Sequence, residues 1–200
     1  FSSESVTEGH PDKVADLISD AILDACLAQD PESRVACETA VTTNYALLFG
    51  EITTTATLNY EKIIKDAIRK IGYEHDGTGF NADHVVVDVR LKKQSPDIAM
   101  GVDVSSIKEQ GAGDQGFMFG YANNETIALM PLPIYLAHRL AERLAYVRKH
   151  NIIHGLRPDG KTQVTVEFDQ EGNLLRVDSV VVSSQHSEQV SLKKLQAEIM

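Results

Sequence analysis

RVACETAVTTNYALLFGEITTT, residues 34–55, decides the fold. Arg34 to Thr43 and Ala46 to Thr55 are rich in Val, Thr and Leu, the composition of half-buried pleated strands. Asn44-Tyr45 separates the two runs, so the stretch predicts a β-hairpin. Upstream, Val14, Leu17, Ile18, Ala21, Ile22 and Ala25 recur at helical spacing between Pro11 and Gln29. Pro11 suits the first turn of that helix and Pro31 marks its stop. Downstream, Tyr60, Ile63, Ile64, Ala67, Ile68 and Ile71 outline a second amphipathic helix that Gly72 can cap. His84 to Leu91 reads as a further strand.

Between Lys92 and Gly116 no periodicity survives, and so long a patternless span in a compact protein is a functional lid or a disordered segment, of which the lid is the reading favoured here. Phe117 to Tyr121 then reads as a strand, and Pro131 opens a helix carrying Tyr135, Leu136, Leu140, Leu144 and Val147. Lys161 to Phe168 and Leu174 to Ser184 are expected strands joined by a turn at Asp169 to Asn173, and another helix starts near Ser191. Ser183 to Ser187, polar throughout, reads as a loop. Helix, strand, strand, helix thus occurs twice, offset by roughly 120 to 130 residues, which suggests a duplicated unit. The expected class is α+β: repeated two-layer units, helices packed on one face of mainly antiparallel sheets, the other face open to a second sheet or subunit. Strand orders that differ between the halves would count against duplication. The expected division is an N-terminal domain over 1–97, a lid with a glycine-rich segment over 98–116, and a second α+β domain over 117–200.

A formal charge of −10 over 200 residues excludes a nucleic-acid backbone as the main partner. It does not exclude ATP, because divalent metal can bridge like charges. No apolar run is long enough to cross a bilayer, and the Ser/Glu-rich opening lacks the basic and apolar regions of a signal peptide. With only Cys26 and Cys37, reduced thiols in the cytoplasm are expected rather than a disulfide framework.

Several groups of residues have the chemistry of a nucleotide site. Gly111-Ala112-Gly113-Asp114-Gln115-Gly116 frees the backbone to approach a phosphate, with Asp114 and Gln115 supplying polar specificity; the same glycines also suit a plain tight turn. The flanks lack the strand and helix of a dinucleotide fold, and no Lys-Ser or Lys-Thr follows as in a Walker loop. Glu8-Gly9-His10-Pro11-Asp12-Lys13 sets an imidazole and a carboxylate at a helix N-terminus, which attracts anions; Asp12 suits Mg²⁺, or simply favours the helix dipole. Asp12, Asp16, Asp20 and Asp24 form a stripe read as a solvated face. Glu38 and Glu51 interrupt strands, and each either holds a metal or amino group or faces water. Arg157 to Lys161 reads as a turn entering a strand, projecting Asp159 toward a ribose or amine and Lys161 toward phosphate charge. No Cys/His spacing suggests zinc and no nucleophile elbow is present.

Taken together, these residues resemble the S-adenosylmethionine synthetase family. The resemblance rests on Ser3-Glu4-Ser5, Glu8 to Lys13, Val35-Ala36-Cys37-Glu38-Thr39, Gly50-Glu51-Ile52-Thr53, Gln94-Ser95-Pro96-Asp97-Ile98, Gly111 to Gly116 with Met118 to Ala122, and Leu156-Arg157-Pro158-Asp159, in the family's order. It implies that methionine sulfur attacks the 5′ carbon of ATP and expels tripolyphosphate, which is then cleaved to phosphate and pyrophosphate. It further implies that His10 assists departure of the tripolyphosphate, Asp12 binds Mg²⁺, and Lys161 stabilises phosphate charge. Asp159 and Gln115 would contact the nucleotide, Asp114 orient substrate, Glu38 bind K⁺, and Glu51 and Gln94 contact methionine. The span from about Gln94 onward would be a mobile gate. Flat sheet faces would pair in a homodimer or dimer of dimers with shared active sites, without nucleic acid or membrane. Ile152-Ile153-His154-Gly155 and Gly160 depart from the family pattern, and the family's last portion would lie beyond Met200. A reading from another class is a non-catalytic nucleotide-binding module that pairs through its sheet.

Overall fold

The computed structural model describes residues 1–74, 77–95 and 116–200. Asp114, Gln115 and the expected lid, apart from Gly116, lie outside them. The elements run β1 (Ser2–Val6), α1 (Pro11–Leu27), β2 (Arg34–Thr42), β3 (Tyr45–Thr53), α2 (Tyr60–Ile71), β4 (Val86–Lys92), α3 (Leu132–Lys149), β5 (Leu156–Phe168), β6 (Leu174–His186) and α4 (Leu192–Ile199). Two compact units interleave along the chain: Phe1–Val14, Arg69–Thr78 and Tyr121–Met200 form one, Ala15–Ile68 and Gly79–Gly120 the other. The class is α+β, helices with two three-stranded sheets.

In the second unit the hairpin is where the sequence puts it. Thr42 pairs with Tyr45 and Arg34 with Thr53, and Asn44 makes the turn at φ +46°, a left-handed conformation that asparagine tolerates. Alternation sends Ala46, Leu48 and Ile52 into a core with Ile18, Ile22, Cys26, Ile64 and Ile68. The Ser19 and Thr39 hydroxyls, bonded at 2.8 Å, tie α1 to β2 inside that core. The opposite face carries Glu38, Phe49, Glu51 and Arg90. β4 joins β3 in parallel, a connection that needs a crossover, and the chain between them supplies α2. Gly50, at φ +122°, is obligatory beside Glu51, since any side chain there would collide with the Ala36 carbonyl.

In the first unit β5 lies between β1 and β6, antiparallel to both. Its alternation is strict: Leu156, Pro158, Gly160, Thr162, Val164 and Val166 are buried, while Arg157, Asp159, Lys161, Gln163 and Thr165 take the other face. α3 covers the buried side with Pro133, Ala137, Ala141, Leu144 and Val147. Thr162, wholly buried, donates its hydroxyl to the Ala137 carbonyl at 2.8 Å, so the polar group it buries is satisfied. Ser191 caps α4, its hydroxyl accepting the Lys194 amide at 3.3 Å, as the expected start near that residue requires.

Three local expectations are corrected. Arg157 to Lys161 is not a turn but the interior of β5; Pro158 fits there because the β6 register breaks between Leu156 and Gly160, so no amide is wanted from it. Ser183 to His186 belongs to β6, where Ser183 and Ser184 face Lys161 and Gly160, and polarity there reflects a solvated edge rather than a loop. Phe117 to Tyr121 forms no strand and is exposed, because β-prone residues need a partner strand to pair with and none takes them among the described residues. Helix, hairpin and helix do recur, as α1-β2-β3-α2 and α3-β5-β6-α4, but the strand orders differ: β4 adds to the second hairpin strand and β1 to the first. The repeat therefore stops at the hairpin.

Both cysteines are free. Burial, then the Asp30 charge, raises the Cys26 thiol. Burial, with neighbouring Cys26 and Glu38, pushes Cys37 up to about 11, so both stay neutral and unreactive at neutral pH. Among the described residues, no helix is long and apolar enough to cross a membrane.

Candidate functional site

β1 delivers the chain to the site. Val6 faces Lys161, and the next amide, of Thr7, donates to the Gly160 carbonyl at 2.9 Å. The Thr7 hydroxyl continues the contact, donating to the Pro158 carbonyl at 2.7 Å. Gly9 then rests on Pro158, so close that a Cβ would overlap its carbonyl. Glu8 turns the other way and is held by Arg148 and Lys149, each at 2.7 Å. Arg148, only 10% exposed, also donates to the Ile71 carbonyl at 2.8 Å, taking up the last turn of α2. Segment 7–9 is thus pinned to β5 and α3 before α1 begins.

His10 is the residue from which α1 starts: its carbonyl accepts the Val14 amide at 2.9 Å, and its Nδ1 lies 3.2 Å from the Asp12 amide. An imidazole here replaces the usual hydroxyl or carboxylate cap. Nδ1 also lies 3.7 Å from Asp12 Oδ2, but one nitrogen cannot both accept the amide and donate to the carboxylate. The shorter contact decides, and it leaves the ring proton on Nε2 as a donor. The His10 side chain is 21% exposed and that of Asp12 85%, so the carboxylate is open to solvent at a helix end whose amides favour anions.

Lys161 and Asp159 share a face of β5. Lys161 Nζ sits 3.6 Å from Glu4 Oε2, both about half exposed. Behind them Tyr73, buried, donates its hydroxyl to the Gly9 carbonyl at 2.6 Å. Burial, reinforced by the Asp159 charge and partly opposed by Arg148, drives the Tyr73 phenol far above its ordinary value. The folded value is raised, so the stability linked to this proton is whole below about pH 10 and is lost as pH climbs toward the folded value, the unfolded chain releasing its proton first. Tyr73→Phe should accordingly flatten the alkaline limb of a stability-pH profile. An unchanged limb would contradict the assignment.

The second unit gathers the other group. Glu38 is exposed on β2 opposite Phe49, and Glu51, half-buried on β3, faces Ala36 and Lys92, so both glutamates lie on the open face. Gln94 Oε1 accepts from Arg34 Nε at 3.3 Å, and Arg34 is two residues from Ala36 on that face. His10, Asp12, Asp159 and Lys161 belong to one unit, and Glu38, Glu51 and Gln94 to the other. Sequence reasoning missed Tyr73, Glu8 and Arg148. Only Gly72, at φ +109° directly beside the Arg148 guanidinium, offered a signal, and it read as a helix cap.

A model of the S-adenosylmethionine synthetase N-terminal domain matches residues 1–96, and a model of the central domain of the same family matches 109–200. The S-adenosylmethionine synthase of Brachyspira hyodysenteriae is 55% identical over 207 aligned residues, covering all of this chain and 52% of that protein. Those of Desulfosudis oleivorans and Staphylococcus epidermidis are 54% and 51% identical, again over the whole chain and 52% of theirs. The chain spans about half the length of the curated relatives it matches.

Proposed function

The chain belongs to the S-adenosylmethionine synthetase family, and on that membership and the site geometry we propose that the protein is a methionine adenosyltransferase. The methionine sulfur attacks the 5′ carbon of ATP, the C5′–O bond breaks, and tripolyphosphate leaves with the bond electrons, to be hydrolysed to phosphate and pyrophosphate. A thioether sulfur carries no proton, so no general base is required. Catalysis falls to orientation and to stabilising charge that builds on the leaving chain. The observation that carries this reading is that segment 7–9, bonded to the Pro158 and Gly160 carbonyls of β5, leads directly into His10 at the start of α1, while Asp159 and Lys161 share one face of that strand. His10 donates from Nε2 to the departing phosphate oxygen, Lys161 neutralises its charge, and Asp159 accepts from the nucleoside. Asp114 and Gln115 complete the nucleotide contact, and Glu51 and Gln94 hold methionine.

Among the described residues no group of three or more His, Cys, Asp or Glu could cage a metal ion. The single exposed carboxylate of Asp12 fits Mg²⁺ all the same, since that ion takes one or two carboxylates and completes its shell with phosphate oxygens and water. When bound it supplies charge neutralisation of the triphosphate. Glu38, an exposed carboxylate on the open sheet face, would hold K⁺. That face carries Leu47 and Phe49 between charged residues, which supports pairing with a second copy, as a dimer or dimer of dimers with shared sites. The domain division at 97 and 116, the lid closing over substrate and a cytoplasmic location belong to the same proposal; the two family models end at 96 and begin at 109.

The test is direct. Full-length protein given ATP and methionine should form S-adenosylmethionine, phosphate and pyrophosphate with Mg²⁺ present, faster with K⁺. No product with both ions ends the proposal.

A further inference from the structure

We infer that Tyr73 is a positioning residue for His10: its phenol, bonded to the Gly9 carbonyl, fixes the peptide from which the His10 ring is aimed. The inference rests on the methionine adenosyltransferase reading for what His10 does, but not for how His10 is held.

The argument turns on a single peptide unit. The Gly9 carbonyl accepts from Tyr73 Oη at 2.6 Å, while the His10 amide of that same unit donates to the Thr7 carbonyl at 3.1 Å. A peptide group is planar, so gripping both its ends sets the orientation of the plane and with it the position of the His10 Cα from which the ring departs. The plane matters because Nδ1 of His10 meets the Asp12 amide only if the ring is turned to it, and that contact holds the proton on Nε2. Glycine at position 9 cannot supply the restraint from its own side chain. Thr7 and Glu8 are anchored, but both stand upstream of the decisive peptide. On that peptide the Thr7 carbonyl holds the amide end, and Tyr73 is the side chain that holds the carbonyl end.

The anchor is itself firmly seated. Tyr73 is buried and follows Gly72, whose left-handed conformation ends α2. Arg148 Nη2 takes the Ile71 carbonyl and Glu8 together, so the base of the tyrosine and the segment it restrains share one guanidinium. Burial also keeps the phenol protonated, hence a donor, across the whole range in which an imidazole titrates.

Tyr73→Phe removes one hydroxyl and leaves the ring. In full-length protein labelled with ¹⁵N-histidine, the His10 nitrogens of the unaltered enzyme should report a bare Nδ1 and a protonated Nε2. In the variant they should average between tautomers. Its kcat should fall about tenfold while KM for methionine stays within about twofold, the pattern of a misplaced group rather than lost binding. Thr162→Val is the control, since it deletes another buried hydroxyl bond in the same unit, to the Ala137 carbonyl. It should lower the thermal midpoint and leave the His10 tautomer alone. Tyr73→Phe with tautomer and kcat both unchanged overturns the inference, as does Thr162→Val scrambling the tautomer to the same degree. If the unaltered protein makes no S-adenosylmethionine, the functional reading falls, whereas a tautomer that dissolves only in Tyr73→Phe still supports the positioning role.

Discussion

Lys161→Ala in the full-length protein is expected to lower kcat on the order of 100- to 1,000-fold, the usual consequence of removing one preorganised charge from a developing anion. Its thermal midpoint should move by no more than a few degrees. The asymmetry follows from where the side chain stands. Lys161 lies on the open face of β5, with 48% of its side chain exposed, and its ion-pair partner Glu4 is 55% exposed at 3.6 Å. Solvent screens such a pair, which stabilises by about 0–1 kcal/mol, and no packing is lost with the ammonium. For the reaction the change is twofold, because alanine removes a positive charge and leaves Glu4 without its counter-ion beside the phosphates. Lys161→Arg restores charge without the point geometry of an ammonium and should recover only part of the rate. Equal proportional losses of stability and turnover in Lys161→Ala would make Lys161 a structural residue, and kcat within threefold of the unaltered enzyme would remove it from the site.

Which parts of this molecule were legible in its sequence follows from the range of the forces involved. The helices over 11–27 and 60–71 and the hairpin over 34–53 depend on periodicity and turn chemistry, both local, and the sequence places them to within about two residues. Errors arise wherever a distant partner decides. Arg157 to Lys161 carries Pro and Gly, the ordinary marks of a turn, yet becomes the interior of a central strand because β1, more than 150 residues earlier, pairs with β5 from Lys161 onward and Thr7, the residue after β1, takes the Gly160 and Pro158 carbonyls. Phe117 to Tyr121 has strand composition and lacks a pairing partner among the described residues. The difference in strand order was equally hidden, since nothing local in Ser2 to Val6 says that it will add to β5.

The site shows the same division. His10, Asp12, Asp159 and Lys161 could be named as candidates because their side chains belong to chemistry that short motifs describe. Tyr73, Glu8 and Arg148 act on backbone groups and on one another, through contacts spanning 64 residues in the case of Tyr73 and Gly9 and 140 in the case of Arg148 and Glu8. No motif encodes a hydrogen bond to a carbonyl. Glu8, 30% exposed against the 10% of Arg148, stood beside the His-Pro pair as a charged residue without an assigned role, and nothing local names its partner.

That architecture leaves Gly9 no room for a side chain. Gly9→Ala is expected to destabilise the protein by about 3–4 kcal/mol and to lower kcat by roughly a hundredfold or more. The added methyl would lie within the Pro158 carbonyl and ring rather than against the tip of a flexible side chain, so the collision cannot be relieved by a rotamer change. Either segment 7–9 lifts from β5 or β5 moves in the sheet. Lifting the segment breaks the Thr7 bonds to Pro158 and Gly160 and pulls the Gly9 carbonyl from Tyr73, which strands buried polar groups. It also shifts His10 relative to β5, the strand that bears Asp159 and Lys161, so the expected catalytic loss has the same origin as the structural one. Gly172→Ala separates the two sources of cost: at φ +85° it lies in an open turn with nothing within 4 Å, so it bears backbone strain alone, about 1 kcal/mol. Denaturant unfolding of both variants measures the difference, and Gly9→Ala falling no further than Gly172→Ala would mean that the segment before His10 is not clamped at all.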